Sequence, residues 1–128
     1  MAGRWVVEHC VGPLGLGALI VKPARHVVHV AELTAEESAE LGPLLQRASA
    51  AVTEVVRPEQ VYVCLWSHQD AQPGHLHFVV QPAMRADMDR FDAYGPRLQM
   101  AMLAAGETPP ADDVARVCDR LRAELARN

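Results

Sequence analysis

The sequence lacks the patterns that mark membrane-spanning and secreted proteins. It has no apolar run close to the ~20 residues that a helix needs to cross a bilayer, and it has no basic and then apolar signal pattern near its start. Its three cysteines, Cys10, Cys64 and Cys118, lie far apart, which fits neither a disulfide framework nor a CxxC zinc site. These absences favour a cytoplasmic protein without a membrane partner.

Positive charge is also scarce. The net charge is −4, the chain has no cluster of lysine and arginine, and Lys22 is its only lysine. A protein that binds duplex nucleic acid needs a basic face to neutralise phosphates. The composition therefore argues against a duplex nucleic-acid partner, and a small anionic ligand would need a local positive site.

Length and apolar content indicate a single globular domain, residues 1–128. A chain of 128 residues can bury a conventional hydrophobic core, and half of its residues are hydrophobic. Residues 5–11 and 18–21 are β-prone runs on either side of a turn-rich connector, residues 12–17. They predict an antiparallel pair of strands.

A long helix is predicted after Thr34. Thr34 and Glu37 have capping-box spacing, because the Thr34 hydroxyl can accept from the third helical amide while the Glu37 side chain reaches back. The Gly42-Pro43 step is expected to kink or divide this helix. Behind the cap, apolar residues recur every three or four positions and form one face: Leu41, Leu44, Leu45, Ala48, Val52, Val55 and Val56.

Residues 60–67 and 75–81 are the next two predicted strands, and the polar loop between them suggests a hairpin. After Pro82, three helical stretches follow, of which the last begins behind Pro110. We therefore predict an α+β domain in which an antiparallel sheet meander carries a long helix and extra C-terminal helices. Its core spans residues 4–82, and a C-terminal helical extension spans residues 83–128.

One strand combines a packing face with a polar face. The strand period of two places His75, His77, Val79 and Gln81 on one face. Alternate positions lie roughly 6–7 Å apart, so the two imidazoles can share one ligand or one phosphate. Two other interpretations stay open, namely structural histidines and a metal site. Residues that could complete an HxH metal site are His26, His29 and His9, although no carboxylate follows in residues 79–86.

The order of these motifs resembles the histidine-triad (HIT) superfamily of nucleotide hydrolases and nucleotidyltransferases, from about Ala18 to Pro82. Residues 23–26 (Pro-Ala-Arg-His) match the family's Pro-x-x-His tract at the end of a strand. Residues 75–82 match its later strand, which carries three histidines on alternate positions. Here the third position is Val79, so the chain resembles a divergent member.

The resemblance implies roles for three histidines. His77 corresponds to the middle histidine, which attacks the α-phosphate and forms a covalent nucleotidyl-histidine intermediate. A neutral imidazole is available for this attack at pH 7. His75 and His26 are implied to orient or polarise the site. The resemblance also implies a HIT-like fold and a homodimer, and it calls for no cofactor or bound metal.

The match with the family departs from its pattern around the third histidine. Val79 cannot donate a hydrogen bond to phosphate or relay a proton to a leaving group. The residues that we expect to contact substrate instead lie at the end of the first hairpin strand, in the loop and at the end of the histidine strand: Trp66, Ser67, His68, Gln72 and Gln81.

The sequence thus leads to three functional hypotheses. The first is a HIT-like nucleotide hydrolase or nucleotidyltransferase that acts on a nucleoside phosphoester or phosphoramidate through His77. The second is a catalytically degenerate relative that binds a nucleotide or another phosphorylated small molecule, which the loss of the third histidine favours. The third is an HxH metalloprotein.

Overall fold

The computed structural model describes residues 3–69 and 71–127, the side chain of Gln69 excepted. None of the helices within these residues is long and apolar enough to cross a membrane. A short 3₁₀ helix, Val30–Glu32, precedes the first α-helix. In chain order the strands and α-helices are β1 (Trp5–His9), β2 (Leu19–Pro23), α1 (Ala35–Val56), β3 (Gln60–Leu65), β4 (His68–Gln69), β5 (Gln72–Pro73), β6 (Phe78–Ala83), α2 (Arg85–Phe91), α3 (Pro96–Ala105) and α4 (Ala111–Arg127).

The main sheet has four antiparallel strands in the order β1-β2-β6-β3, and β4 pairs with β5 in a separate two-stranded sheet. The α+β class, the antiparallel pairing and the long helix on the sheet are confirmed. The strand order corrects the predicted meander, because β6 lies between β2 and β3 instead of following β3 at the edge. The reason is burial: residues 79–83 of β6 are buried on both faces, as a central strand requires.

Helix α1 begins at the predicted cap. The Glu37 amide donates to the Thr34 hydroxyl, and the Glu37 side chain accepts from the Thr34 amide. The helix then continues through Pro43, so of the two outcomes expected at the Gly42-Pro43 step, a kink or a division, the division does not occur. An internal proline costs about 3 kcal/mol. Full burial of Val52 and near-full burial of Val55 against the sheet contribute about 1.5–3 kcal/mol each, enough to offset it.

The two faces of the sheet are covered by different helices. On the first face, α1 and α4 bury a core in which Trp5, Val80 and Leu121 lie together. On the second face, α2 and α3 cover only the end of the sheet where β6 stops, with Leu98 and Met102 packed near Ala83. Toward the opposite end of this face, where β6 begins, α3 reaches the β3 side through the bonds of Gln99 to Trp66 and Cys64.

The sequence predicted that the histidine strand begins at His75. In the structure, strand β6 begins at Phe78. The Leu76 amide donates to the Val27 carbonyl at 2.7 Å, so the backbone before Phe78 bonds to the segment that follows β2. The histidine segment, residues 75–77, therefore lies just before the paired residues of β6 and is bonded to the end of β2 and to the segment after it.

The connector between β1 and β2 covers the middle of the second face. Leu14 is 6% exposed and packs with Ala18 and Val79. Gly17 has φ +91°, and a Cβ atom at this position would lie 2.5 Å from Cγ2 of Val56. A glycine is therefore required at position 17 for both its backbone conformation and its space.

The buried carboxylate of Glu37 gives a prediction about pH. The Arg25 guanidinium and the Thr34 amide lower the pKa of Glu37 from 4.5 to about 2. A carboxylate whose pKa is lowered by folding stabilises the protein above pH 4.5, and this contribution is lost as the pH falls toward 2. We expect Glu37→Gln to be less stable than the wild type at pH 7, with the difference shrinking between pH 4.5 and 2.

Denaturant unfolding at a series of pH values measures this effect. Glu36→Gln is the matched control, because Glu36 lies in the same first helical turn and is exposed. A Glu37→Gln variant whose deficit relative to the wild type stays constant from pH 7 to pH 2 would contradict the assignment.

Candidate active site

A cavity of about 610 Å³ opens on the second face beside the start of β6. Its described lining contains no residue of α2 or α3. Side chains from the ends of β1 and β2, from β4 and from the histidine segment surround it: Glu8, His9, Cys10, Val11, Ile20, Lys22, His68, His75 and His77.

The ring of His77 is held by the backbone of His75. Nδ1 lies 3.0 Å from the carbonyl oxygen of His75, and a carbonyl can only accept, so Nδ1 carries the proton. Within the described residues, Nε2 makes no hydrogen bond. His77 is half-buried and lines the cavity. It thus presents Nε2 to the cavity, and in the neutral form of the ring this nitrogen has a free lone pair.

The ring of His75 is held at both nitrogens by backbone groups. Its Nε2 donates to the Pro23 carbonyl at 3.0 Å, and its Nδ1 accepts from the Val27 amide at 3.3 Å. The exposed His26 ring stacks on it, with centroids 5.3 Å apart and planes 17° apart. The tract that follows β2 therefore positions the histidine segment, and neither nitrogen of His75 is available for a ligand while these bonds hold.

Two charged side chains line the cavity. Lys22 Nζ and Glu8 Oε1 lie 2.6 Å apart, and both side chains are partly exposed. The neighbouring His9 serves the hairpin instead, because its Nε2 accepts from the Gly17 amide at 2.9 Å and its Nδ1 donates to the Cys10 carbonyl. The cavity thus contains one ion pair, the free Nε2 of His77 and the exposed ring of His68, for which the described residues offer no hydrogen-bond partner.

Solved structures with the same fold identify the architecture. The chain is similar to a hypothetical histidine triad nucleotide-binding protein from Sulfolobus tokodaii, with 18% identity, a TM-score of 0.72, and coverage of 97% of this chain and 79% of that chain. The chain has the histidine-triad fold. A Hit-like protein involved in cell-cycle regulation from Bartonella henselae gives 15% identity, a TM-score of 0.71 and coverage of 97% and 82%. A zinc-bound histidine triad family protein from Mycobacterium smegmatis gives 20% identity, a TM-score of 0.68, and coverage of 99% of this chain and 81% of that chain.

No protein-family model matches the sequence, and no curated protein matches it. The histidine-triad fold is therefore recognised here through the arrangement of strands and helices.

The structure brings some of the predicted site residues together and leaves others apart. His75, His77 and His68 line the cavity, and His26 lies against His75. Ser67 and Gln72, which we predicted to contact substrate, are exposed and lie outside the cavity lining. Trp66 also lies outside it, because its indole Nε1 donates to Gln99 of α3 at 2.8 Å.

Gln81 corrects another part of the sequence interpretation. Its side chain is fully buried, because α3 packs over this part of the sheet. Its Oε1 accepts from Gln99 at 3.1 Å, and its Nε2 donates to the sulfur of Met102 at 3.4 Å. The strand period correctly placed Gln81 on the same face as Val79, but the helix that covers this end removes Gln81 from the cavity.

The third triad position also belongs to packing and not to the cavity. Val79 is 6% exposed and pairs with Ile20 on one side and with Cys64 on the other.

The sequence interpretation missed Glu8 and Lys22 as cavity residues. The signal that could have found them was their charge at positions that alternate with the apolar core residues of β1 and β2.

The metal hypothesis finds no ligand set in the part of the chain that the structure describes. No group of three His, Cys, Asp or Glu side chains lies close enough there to hold a metal ion. In addition, His9 and His75 each use both ring nitrogens in hydrogen bonds to the chain. The geometry therefore does not support an HxH metal centre.

The burial of Gln81 gives a prediction about stability. Gln81→Ala removes the oxygen that accepts from Gln99 and leaves a small void under α3. We expect the free energy of unfolding to fall by about 1–3 kcal/mol. Gln72→Ala, which changes an exposed glutamine of the same type, is the control and should change it by less than about 0.5 kcal/mol.

Denaturant unfolding of both variants at neutral pH provides the comparison. Equal stabilities for Gln81→Ala and Gln72→Ala would show that Gln81 is not part of the packing under α3.

Proposed function

We propose that the chain is a nucleotide hydrolase or nucleotidyltransferase that acts on a nucleoside phosphoester or phosphoramidate bound in the histidine cavity. The reaction proceeds through a covalent phosphohistidine-type intermediate on His77. One observation supports this most strongly: His77 lines the cavity with Nδ1 held by a carbonyl, while Nε2 has no partner among the described residues. The similarity to the histidine triad nucleotide-binding protein of Sulfolobus tokodaii supports a nucleotide as ligand.

In the first step, the lone pair on Nε2 of His77 attacks phosphorus. A P–N bond forms, and the bond between phosphorus and the leaving group breaks with its electron pair going to the leaving group. The proton on Nδ1 stays in place, so the ring becomes cationic. Its hydrogen bond to the His75 carbonyl then has a charged donor and strengthens in the intermediate.

In the second step, water or another acceptor attacks phosphorus from the opposite side. The P–N bond breaks, its electron pair returns to Nε2, and the proton of the attacking water passes to solvent. His77 is thereby restored to its neutral form with the proton still on Nδ1. Throughout both steps His75 remains bound to Pro23 and Val27 and keeps the accepting carbonyl in position.

The packing of Val79 narrows the range of leaving groups. General acid catalysis is worth roughly 10²–10⁴-fold in rate, and a valine cannot supply it. A leaving group that departs as a stabilised anion, such as the phosphate of an anhydride, depends least on this assistance. We therefore expect anhydrides to be better substrates than simple alkyl phosphoesters.

Val79 also favours a second candidate function, the binding of a phosphorylated small molecule without turnover. In this alternative, the cavity and the orientation of His77 serve recognition alone. The two functions differ in one observable, which is whether a covalent adduct and a product form.

The reaction can be tested with dinucleoside polyphosphates and nucleoside phosphoramidates. We expect the wild type to release a nucleoside monophosphate and His77→Ala to lose at least about 10³-fold of the rate, because the attacking atom is removed. Intact-protein mass spectrometry of quenched samples should show a nucleotidyl adduct on the wild type and none on His77→Ala. His29→Ala is the control, since His29 is exposed and lies outside the cavity lining.

Two outcomes would contradict the proposal. Product formation at the same rate in His77→Ala would assign the chemistry to another group. Binding of a nucleoside monophosphate by the wild type, without any product from the panel, would reject turnover and establish the binding function.

A further inference from the structure

Lys22 and His77 line the same cavity. Strand β2 pairs with β6 in the register Ile20 with Val79 and Val21 with Phe78. One further step in this register places Lys22 beside His77, and the side chains of both residues line the cavity. The only lysine of the sequence therefore stands on the strand adjacent to the histidine whose Nε2 has no partner among the described residues.

Glu8 holds the ammonium group without saturating it. The two groups are 2.6 Å apart, and the Lys22 side chain is 33% exposed. An ammonium has three N–H donors, and within the described residues its only ion-pair partner is Glu8, so donors remain for a ligand. Glu8 stands on β1, which lies one strand further from β6, so the cation is on the side of the pair nearer to His77.

Among the described residues, the cavity offers an anionic ligand no other formal cation. Lys22 and Glu8 are the formally charged residues of its lining. The nearest arginine in sequence, Arg25, is bound to the Glu37 carboxylate and the Glu32 carbonyl. An attack on a phosphoryl group places extra negative charge on the phosphoryl oxygens, and a positioned cation in a partly desolvated site stabilises that charge.

We propose that Lys22 is the phosphate-binding cation of this site, a role that rests on the proposed function of His77. Its ammonium donates to a non-bridging oxygen of the phosphoryl group that His77 attacks, and it stays protonated throughout. It stabilises negative charge on the phosphoryl oxygens from the β2 side of His77. The third triad position, which is Val79, cannot stabilise this charge. Glu8 is the positioning residue that directs the ammonium.

The kinetic test compares two substitutions of Lys22 with a matched charge change elsewhere. Lys22→Gln should lower kcat/KM about 10²–10³-fold on a substrate that gives His77-dependent product. Lys22→Arg keeps the charge and should recover the value to within about tenfold of the wild type. Arg57→Gln removes one positive charge at an exposed helix end and should leave kcat/KM unchanged.

A binding test uses the fact that the chain has a single lysine. Trace labelling with acetic anhydride modifies one side-chain amine, and mass spectrometry of the peptides separates it from the α-amino group. Inorganic phosphate at millimolar concentration should slow the labelling of Lys22 at least about threefold, compared with chloride at the same ionic strength. His77→Ala should retain this protection, because binding does not require the attack.

The outcomes separate this proposal from the one on which it rests. If His77-dependent turnover occurs but Lys22→Gln behaves like Arg57→Gln, the role of Lys22 is overturned while the role of His77 stands. If no turnover occurs, the labelling test still decides: protection by phosphate supports Lys22 as the anion site, and equal labelling in phosphate and chloride rejects it.

Discussion

The carbonyl oxygen of His75 is the acceptor on which the geometry of the site depends. It fixes the plane of the His77 ring and the proton on its Nδ1. The position of this carbonyl is set in turn by the ring of His75, which is bound between the Pro23 carbonyl and the Val27 amide. Because a carbonyl can only accept and an amide can only donate, these bonds are compatible with a single tautomer of each ring. Backbone atoms, and not mobile side chains, therefore orient Nε2 of His77.

Features that depend on near neighbours in sequence could be predicted. The capping box of Thr34 and Glu37 needs only a spacing of three residues. The faces of the strands follow from their period of two, which placed Val79 and Gln81 on the same face. The motif of residues 75–77, together with the tract at residues 23–26, also led to the histidine-triad fold that the solved structures support.

Features that depend on distant partners could not be predicted. The burial of Gln81 is caused by Gln99 and Met102, which lie 18 and 21 residues away on a helix whose docking site no local pattern specifies. The proximity of Lys22 to His77 results from the strand register, and the predicted meander would have placed β3 between these two residues. The helix also continued through Pro43, because burial further along α1 outweighed the local preference for a break.

The packing of Val79 under the connector limits which side chains this position accepts. A larger side chain would have to share an apolar layer with Leu14 and Ala18, and a polar one would also need a hydrogen-bond partner there. Position 79 and the connector are therefore coupled: a bulky or polar residue in the strand needs a matching change in the residues that cover it.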